Sequence, residues 1–481
     1  MASLFSALNA TSNTLKAYET ALNITQNNIG NSSTPNYAAQ QVQFDSLAFE
    51  PNNGLEGGVA GATAVDTRNA YADQSVRTEI SNLGTAQQQS TLLTNLQGNF
   101  DVTGQTGISG GLSSFFSSFS ALSASPSDPS AQQTVIDDAQ QVAQSFQQTA
   151  SSLSQAGADI TQQIQSQVGQ INTLASQIQQ YNVEQQQSGG DDPSLDAQVE
   201  TALESLSQIA NVTASKGPDG TTSVLIDGQT PLVLGSQVFQ ISAGNVPAST
   251  DPPPNNPGGT PDIQILDSNG NDITAQISQG QLAGSLNVRN TVIPGLIGDQ
   301  SQTGSINQLA QTFADRVNTL LTSGDISSGP PAVPGVPLFT YDTTNPTNVA
   351  QSLSVSSTIT PDQIATIDPG PPTVSNGIAN QIANLSQGTN AADQINGVSY
   401  TAYFGQVAAS IGSQVTAANN NSSLYTQSVA QAQNLQTQLS GVSLDTEATN
   451  LIEFQKGYDA TAKLVTVLDQ IAQSTIDILQ Q

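Results

Sequence analysis

Three places in this 481-residue chain hold residues of the types and spacing that chemistry uses. Asp267, Asn269 and Asn271 copy the first three ligands of a calcium-binding EF-hand loop. The pattern then breaks, with Asp272 where that loop needs glycine and Ser278 where it needs glutamate. Asn269-Gly270 between two apolar runs reads instead as a hairpin turn. Asp191 and Asp192 have the makings of a carboxylate pair for glycoside cleavage, yet adjacent acids before Pro193 read as a solvated helix boundary. Phe115, Phe116 and Phe119 sit at helical spacing and read as core, not as a ligand platform. The chain has no His and no Cys. That removes Ser-His-Asp and Cys-His nucleophiles, disulfides, and His or Cys metal sites. No glycine-rich loop carries the Lys and Ser or Thr of a phosphate cradle. The reading is therefore no enzyme, no catalytic residue, no cofactor and no metal.

Charge narrows the partners. Eight basic residues against 37 acidic ones give a net charge of -29, although only 9% of residues are charged. Neutralising phosphates needs clustered Lys and Arg, so neither nucleic acid nor an anionic membrane fits. No run approaches the length of apolar chain that spans a bilayer, which argues against membrane insertion. The first residues have no basic cluster before their apolar stretch and make a poor Sec signal. At 36% hydrophobic the composition suits an elongated protein with modest cores.

The elements come from periodicity. Met1, Leu4, Leu8, Thr11, Leu15, Tyr18, Leu22, Thr25 and Ile29 alternate spacings of three and four, the a/d seam of a coiled coil, with Gly30 at the C-cap and Pro35 preventing continuation. Leu451, Phe454, Tyr458, Thr461, Val465, Leu468, Ala472, Thr475 and Leu479 repeat the alternation at the other end. Leu464, Ile471 and Ile478 widen that second stripe, which suggests more than one neighbour. Two readings of the ends stand side by side: they pair within one monomer, or they stay mobile and lock on assembly. In between, Asp128-Pro129 starts a helix, or two collinear helices, of roughly 50 residues, with Gly157 and Gly169 as weak points. A shorter helix runs from about Ser194 to Ile209. From Asn211 the texture is β: Thr221–Ile226, Leu232–Leu234, Val238–Ile241, and a second hairpin of Ile263–Leu266 with Ile273–Ile277. Helix returns at about Gln300 to Leu321, loops fill 322–378, and helical heptads run from Tyr400 to the end.

The expected fold is multidomain and mainly α, with terminal coiled-coil helices, long central helices and an inserted β-rich domain. Residues 1–32 and 444–481 would form the terminal assembly domain. Residues 33–210 and 284–443 would form a helical middle domain with Pro/Gly-rich loops at 322–398, and 211–283 the β-rich outer domain.

Particular residues then add a resemblance. Asn27-Asn28-Ile29-Gly30-Asn31 followed by Thr34-Pro35-Asn36-Tyr37 resembles the N-terminal signature of flagellar rod, hook and hook-associated proteins. Asn36 stands where that turn usually has Gly, and Asn tolerates the left-handed region. Ser440-Gly441-Val442-Ser443-Leu444-Asp445-Thr446-Glu447, with Asn450 to Gln455 and Tyr458, resembles the C-terminal signature of the same family. Leu282 to Arg289, Asn290 and Ile293-Pro294-Gly295 resemble a segment of its hook–filament junction branch. The resemblance implies a structural part that joins flagellar hook to filament, assembling through Leu4, Leu8, Leu15, Tyr18, Leu22 and Ile29 and through Leu451, Phe454, Tyr458, Val465, Leu468 and Leu479. Asn27, Asn28, Pro35, Tyr37, Arg289, Pro294, Gly441, Leu444 and Asp445 are the family-motif positions. Implied partners are further copies in a ring or helical lattice, the hook protein, hook-associated protein 3, filament assembly components and a cytoplasmic export chaperone. The implied location is extracellular, at the hook–filament junction, reached by type III export without a cleaved signal. Alternatives are another axial protein, such as hook-associated protein 3 or a hook- or rod-like protein, or an extracellular glycan-binding β module.

Overall fold

The computed structural model describes the chain except residues 1, 51–54, 57, 104, 189–191, 248–254 and 480–481, and, for side chains, also 2, 3, 5, 49, 50, 55, 56, 188, 478 and 479. Met1 of the N-terminal seam, Asp191 of the carboxylate pair and the Leu479 side chain thus lie outside what is described. Helix α1 (Ala2–Gly30) leads through the Pro35 turn into an antiparallel hairpin of β1 (Gln40–Ser46) and β4 (Val59–Asp66), with the short pair β2 (Phe49–Glu50) and β3 (Leu55–Glu56). Helices α2 (Ala70–Gln97), α3 (Gly107–Ala124), α4 (Pro129–Ser188) and α5 (Pro193–Ile209) follow. Strands β5 (Val212–Lys216), β6 (Thr222–Ile226), β7 (Thr230–Leu234) and β8 (Gln237–Val238) form one antiparallel sheet in that order. Next β9 (Ser242–Asn245) pairs with β10 (Ile263–Leu266). The chain returns to helix in α6 (Gln281–Asn287), a π-helical turn (Val288–Val292), α7 (Ile293–Ile297) and α8 (Ser305–Ser323). Small pieces come next: β11 (Asp325–Ser327) with β12 (Val333–Pro334), β13 (Phe339–Thr340) with β14 (Ser354–Val355), α9 (Val349–Ser352) and α10 (Gly377–Asn384). Two long helices close the chain, α11 (Tyr400–Ser440) and α12 (Leu444–Leu479). The fold is mainly α, elongated, with small β insertions.

Helix α4 is the spine. Asp128 caps it by accepting from the Ser130 amide at 2.9 Å, and Pro129 needs no amide partner at the first position. It then runs 60 residues, about 90 Å at 1.5 Å per residue. Gly157 and Gly169 do not break it, because one continuous apolar stripe holds both sides of each. Val135, Ala139, Val142, Phe146, Leu153, Ile160, Ile164, Val168, Ile171 and Ile178 are all buried, against α3, α5, α6, α7 and the β segment. The three phenylalanines of α3 are core: Phe115 packs on Phe119 (5.0 Å between ring centroids) and Phe313 of α8 (5.3 Å), which in turn meets Phe339 and Tyr400.

Three expectations change. Ile273–Ile277 is no strand: Asp272 accepts from the Thr274 amide at 2.8 Å and the chain makes a 3-10 turn over Thr274–Gln276. Strand β10 therefore pairs along its length with β9, across the Pro-rich loop, and meets the residues that follow it only around the single bridge Leu266–Asp272 and the Ile273 amide's bond to Ile265 O. The 322–378 region also ends at α10, where buried Ile378, Ala379 and Ile382 pack on α3 and α8.

Candidate assembly interface

The two terminal helices meet. Helix α1 packs along α12, and the β1–β4 hairpin folds onto α1. On α1 the buried residues are Thr11, Ala17, Ala21, Ile24, Thr25 and Asn28. The expected seam of Leu4, Leu8, Leu15, Tyr18, Leu22 and Ile29 is half-buried on the flank of this small-residue face. On α12, Leu451, Phe454, Tyr458, Val465 and Leu468 are half-buried, and Glu447 is the single buried residue among its described side chains. Close approach is set by Gly457, where a Cβ would lie 2.6 Å from the Tyr18 ring. Tyr18, Phe44 of β1 and Phe454 form an aromatic triangle with centroids 5.7, 6.0 and 6.5 Å apart, which ties helix, hairpin and helix together. Nothing in the sequence around Phe44 says what its ring faces.

At the base of the pair the two terminal motifs become one hydrogen-bonded knot. Asn28 is fully buried and uses its whole amide. Its Nδ2 donates to Gln40 O (2.8 Å) and Glu447 Oε1 (3.0 Å), while its Oδ1 accepts from Gln40 N (3.0 Å) and the Tyr37 hydroxyl (3.2 Å). Burial first, then the charges of Glu447, Asp66 and Asp192, push the Tyr37 phenol up, so it stays a donor at neutral pH. Asn28 and Glu447 are 419 residues apart in sequence. Beside the knot, Asn36 adopts the left-handed conformation (φ 58) and its carbonyl accepts from Arg68 Nη2 at 2.7 Å. Arg68 reaches Asp73 at 3.2 Å, and Asp73 accepts from Gln436 of α11 at 2.7 Å. Ser440 O accepts from the Ala39 amide at 2.8 Å, so the two chain crossings between terminal pair and body are bonded to each other. Gly441 is needed there because a Cβ would sit 2.4 Å from Thr437 O.

The remaining motif residues separate. Asn27, Pro35, Leu444 and Asp445 are exposed; the Asn27 carbonyl accepts from the Asn31 amide at 2.9 Å and the Asp445 carbonyl from Thr449 Oγ1 at 2.9 Å. Arg289 and Pro294 lie inside the body, far along the chain from both ends. Arg289 is buried, donating through Nε to Thr161 Oγ1 (2.9 Å) and Nη2 to Pro261 O (3.1 Å), and so clamps the π-helical turn to α4 and the β10 approach. Sequence reading missed Asp73 and Gly457, whose roles depend wholly on what stands opposite them.

No chemistry is assembled elsewhere in the described residues. Asp267 already accepts from Asn269 N, Asn271 N and Asn271 Nδ2 at 2.8, 2.8 and 2.9 Å, the bonds of a turn, and no group of metal-binding side chains gathers among the described residues. Asp192 caps α5 through the Ser194 amide. Among the described residues no helix is long and apolar enough to cross a membrane.

A chain whose two ends are knotted into one helical pair, on an elongated helical body, is a structural protein of the axial type, with its termini as the constructed site. Comparison with known proteins gives the family. The model described as "Flagellar hook-associated protein FlgK helical domain" matches residues 93–339, just over half of the chain, and that of "Flagellar basal body rod FlgEFG protein C-terminal" matches 436–478. Flagellar hook-associated protein 1 of Bacillus subtilis is 25% identical over 99% of both chains. That of Salmonella typhimurium is 26% identical over 67% of this chain and 58% of its own. The solved flagellar hook junction protein FlgK from Burkholderia pseudomallei shares the fold, with a TM-score of 0.62 at 16% identity over 76% of this chain and 100% of that one. The chain belongs to the FlgK family of flagellar hook-associated proteins. It is a structural component of the flagellum, assembling with the hook and related proteins, and not an enzyme.

Proposed function

We propose that the protein forms the hook–filament junction outside the cell as a ring or helical layer of identical copies, seated between hook protein and hook-associated protein 3. The observation that carries this is the surface α12 keeps after pairing with α1. Leu444, Ile452, Leu464, Val467 and Ile471 remain 48–54% exposed, and Leu464, Val467 and Ile471 follow one another at helical spacing. A helix that turns one stripe to its own chain and leaves a second uncovered fits a lattice in which neighbours supply the cover. In this reading a cytoplasmic export chaperone keeps the chain assembly-competent through a surface other than this stripe. Terminal helices inside, long helices in the middle and β segments outside is the layering this reading gives to residues 1–32 with 444–481, 33–210 with 284–443, and 211–283.

The test replaces Leu464, Val467 and Ile471 together with Asp in the full-length chain. The expected variant keeps its helical circular dichroism and is secreted, but builds no junction in electron micrographs of the hook tip, and cells do not swim. Normal junctions in that variant would sink the reading.

A further inference from the structure

Five buried or half-buried asparagines repeat one arrangement on five different pairs of elements. Each presents its side-chain amide to both backbone groups of one residue, accepting from its N–H and donating to its C=O, while Asn318 also accepts from the Leu338 amide at 2.9 Å. Asn28 of α1 does so with Gln40 (3.0 and 2.8 Å), Asn172 of α4 with Ile241 (3.0 and 2.9 Å) and Asn182 of α4 with Thr222 (2.8 and 2.8 Å). Asn290 of the π-helical turn does so with Ile263 (2.9 and 2.7 Å), and Asn318 of α8 with Phe339 (2.9 and 2.8 Å). The targets share a position. Gln40, Thr222, Ile263 and Phe339 are the first residues of β1, β6, β10 and β13, and Ile241 immediately precedes β9.

We propose that these five asparagines are register locks, positioning residues that select which residue begins each strand and so fix the β segments on the helical body. The chemistry is specific to a carboxamide, which alone among short side chains carries a donor and an acceptor in the geometry of a peptide group. Asp would present an acceptor to the carbonyl, and Leu would leave a buried N–H and C=O unpaired. The device matters because strand side chains alternate faces, so a slip of one residue would turn each buried set outward. These strands are two to seven residues long, too short to hold register by ladder bonds alone. The chain also has no disulfide to hold them.

The test is Asn182→Leu in the full-length protein, read by residue-resolved hydrogen exchange, because Asp would keep an oxygen that accepts from the Thr222 amide. The Thr222 amide donates to Asn182 Oδ1, and Asn182 also donates to Gly235 O at 2.7 Å. Expected is Thr222 exchange faster by on the order of 10-fold, the size a lost buried hydrogen bond carries, with the other amides of β6 quickened beside it and the α3–α8 core far less affected. Asn420→Leu, the same substitution at an exposed helix site, should change neither. Unchanged Thr222 exchange overturns the proposal, and so does one common acceleration of all body amides, which would mark a merely stabilising contact. If Asn182→Leu does not fold, Asn172→Leu read at the Ile241 amide, which donates to Asn172 Oδ1, decides by the same two criteria.

Discussion

The body and the terminal pair of this molecule are both helical, yet they bury different things. In the body, Phe115, Phe119, Phe146 and Phe313 are completely enclosed, and charges are closed in pairs such as Arg77–Glu200 and Arg316–Asp393. In the terminal pair, α1 buries mostly small or polar residues and α12 buries only Glu447 among its described side chains. A core of enclosed rings is stable within one chain. A pair held by small residues at a close approach, with its large side chains half covered, is unfinished until something else packs on it. The Asn28–Tyr37–Glu447 knot gives that unfinished pair a defined angle at its base, where the two signatures meet.

The contrast can be broken most forcefully in the body. Phe313→Ala should cost about 3–5 kcal/mol, since it empties a site shared by four other rings' elements, and should lower the thermal midpoint of the whole helical signal. Phe454→Ala should leave that midpoint in place and act on junction formation alone. Equal loss of thermal stability from both would erase the distinction. A smaller effect tests the close approach. Gly457→Leu drives a side chain into the Tyr18 ring and should weaken the α1–α12 contact by about 1–3 kcal/mol. Limited proteolysis should then cut α12 faster while the body stays intact, and Tyr18→Ala in the same chain should restore resistance. Acceleration that Tyr18→Ala does not relieve would show that the Tyr18 ring is not what sets the close approach, since Leu is the better helix former and propensity alone would slow the cutting.

The smallest expected effect separates the body's paired charges from an unpaired one. Asp262 keeps Oδ1 buried without a partner, and burial, then the Asp299 charge, pushes its carboxyl up against the pull of Arg289. A folded-state value above the unfolded one means that ionisation weakens the fold as pH rises through it. Asp262→Asn should therefore raise the urea midpoint at about pH 7, with the gain fading below about pH 4, where the carboxyl is protonated in both states. An equal shift at both pH values would remove the titration from the explanation.

Much of this was readable residue by residue. The three-four spacing predicted α1, α4 and α12, Asp128-Pro129 and Asp192-Pro193 marked helix starts, and Asn36 was expected in its left-handed turn. The rest shares a cause. The Ile273–Ile277 segment had strand composition, but the Asp272 carboxylate captured its backbone into a turn. Gly157 and Gly169, weak points by local helix propensity, left one helix or two open, and packing along 60 residues decides for one.

Periodicity determined which residues share a helix face, because the 3.6-residue turn is a property of the backbone and needs no partner. Composition determined that the protein would have no disulfide or His-based chemistry, because the atoms are missing. Which stripe is covered and which left open was decided only by the fold, through a glycine facing a tyrosine more than 400 residues away. The five asparagines belong to the same class. An amide side chain has no preferred partner in sequence, and acquires one only when a helix brings it beside the first peptide of a strand.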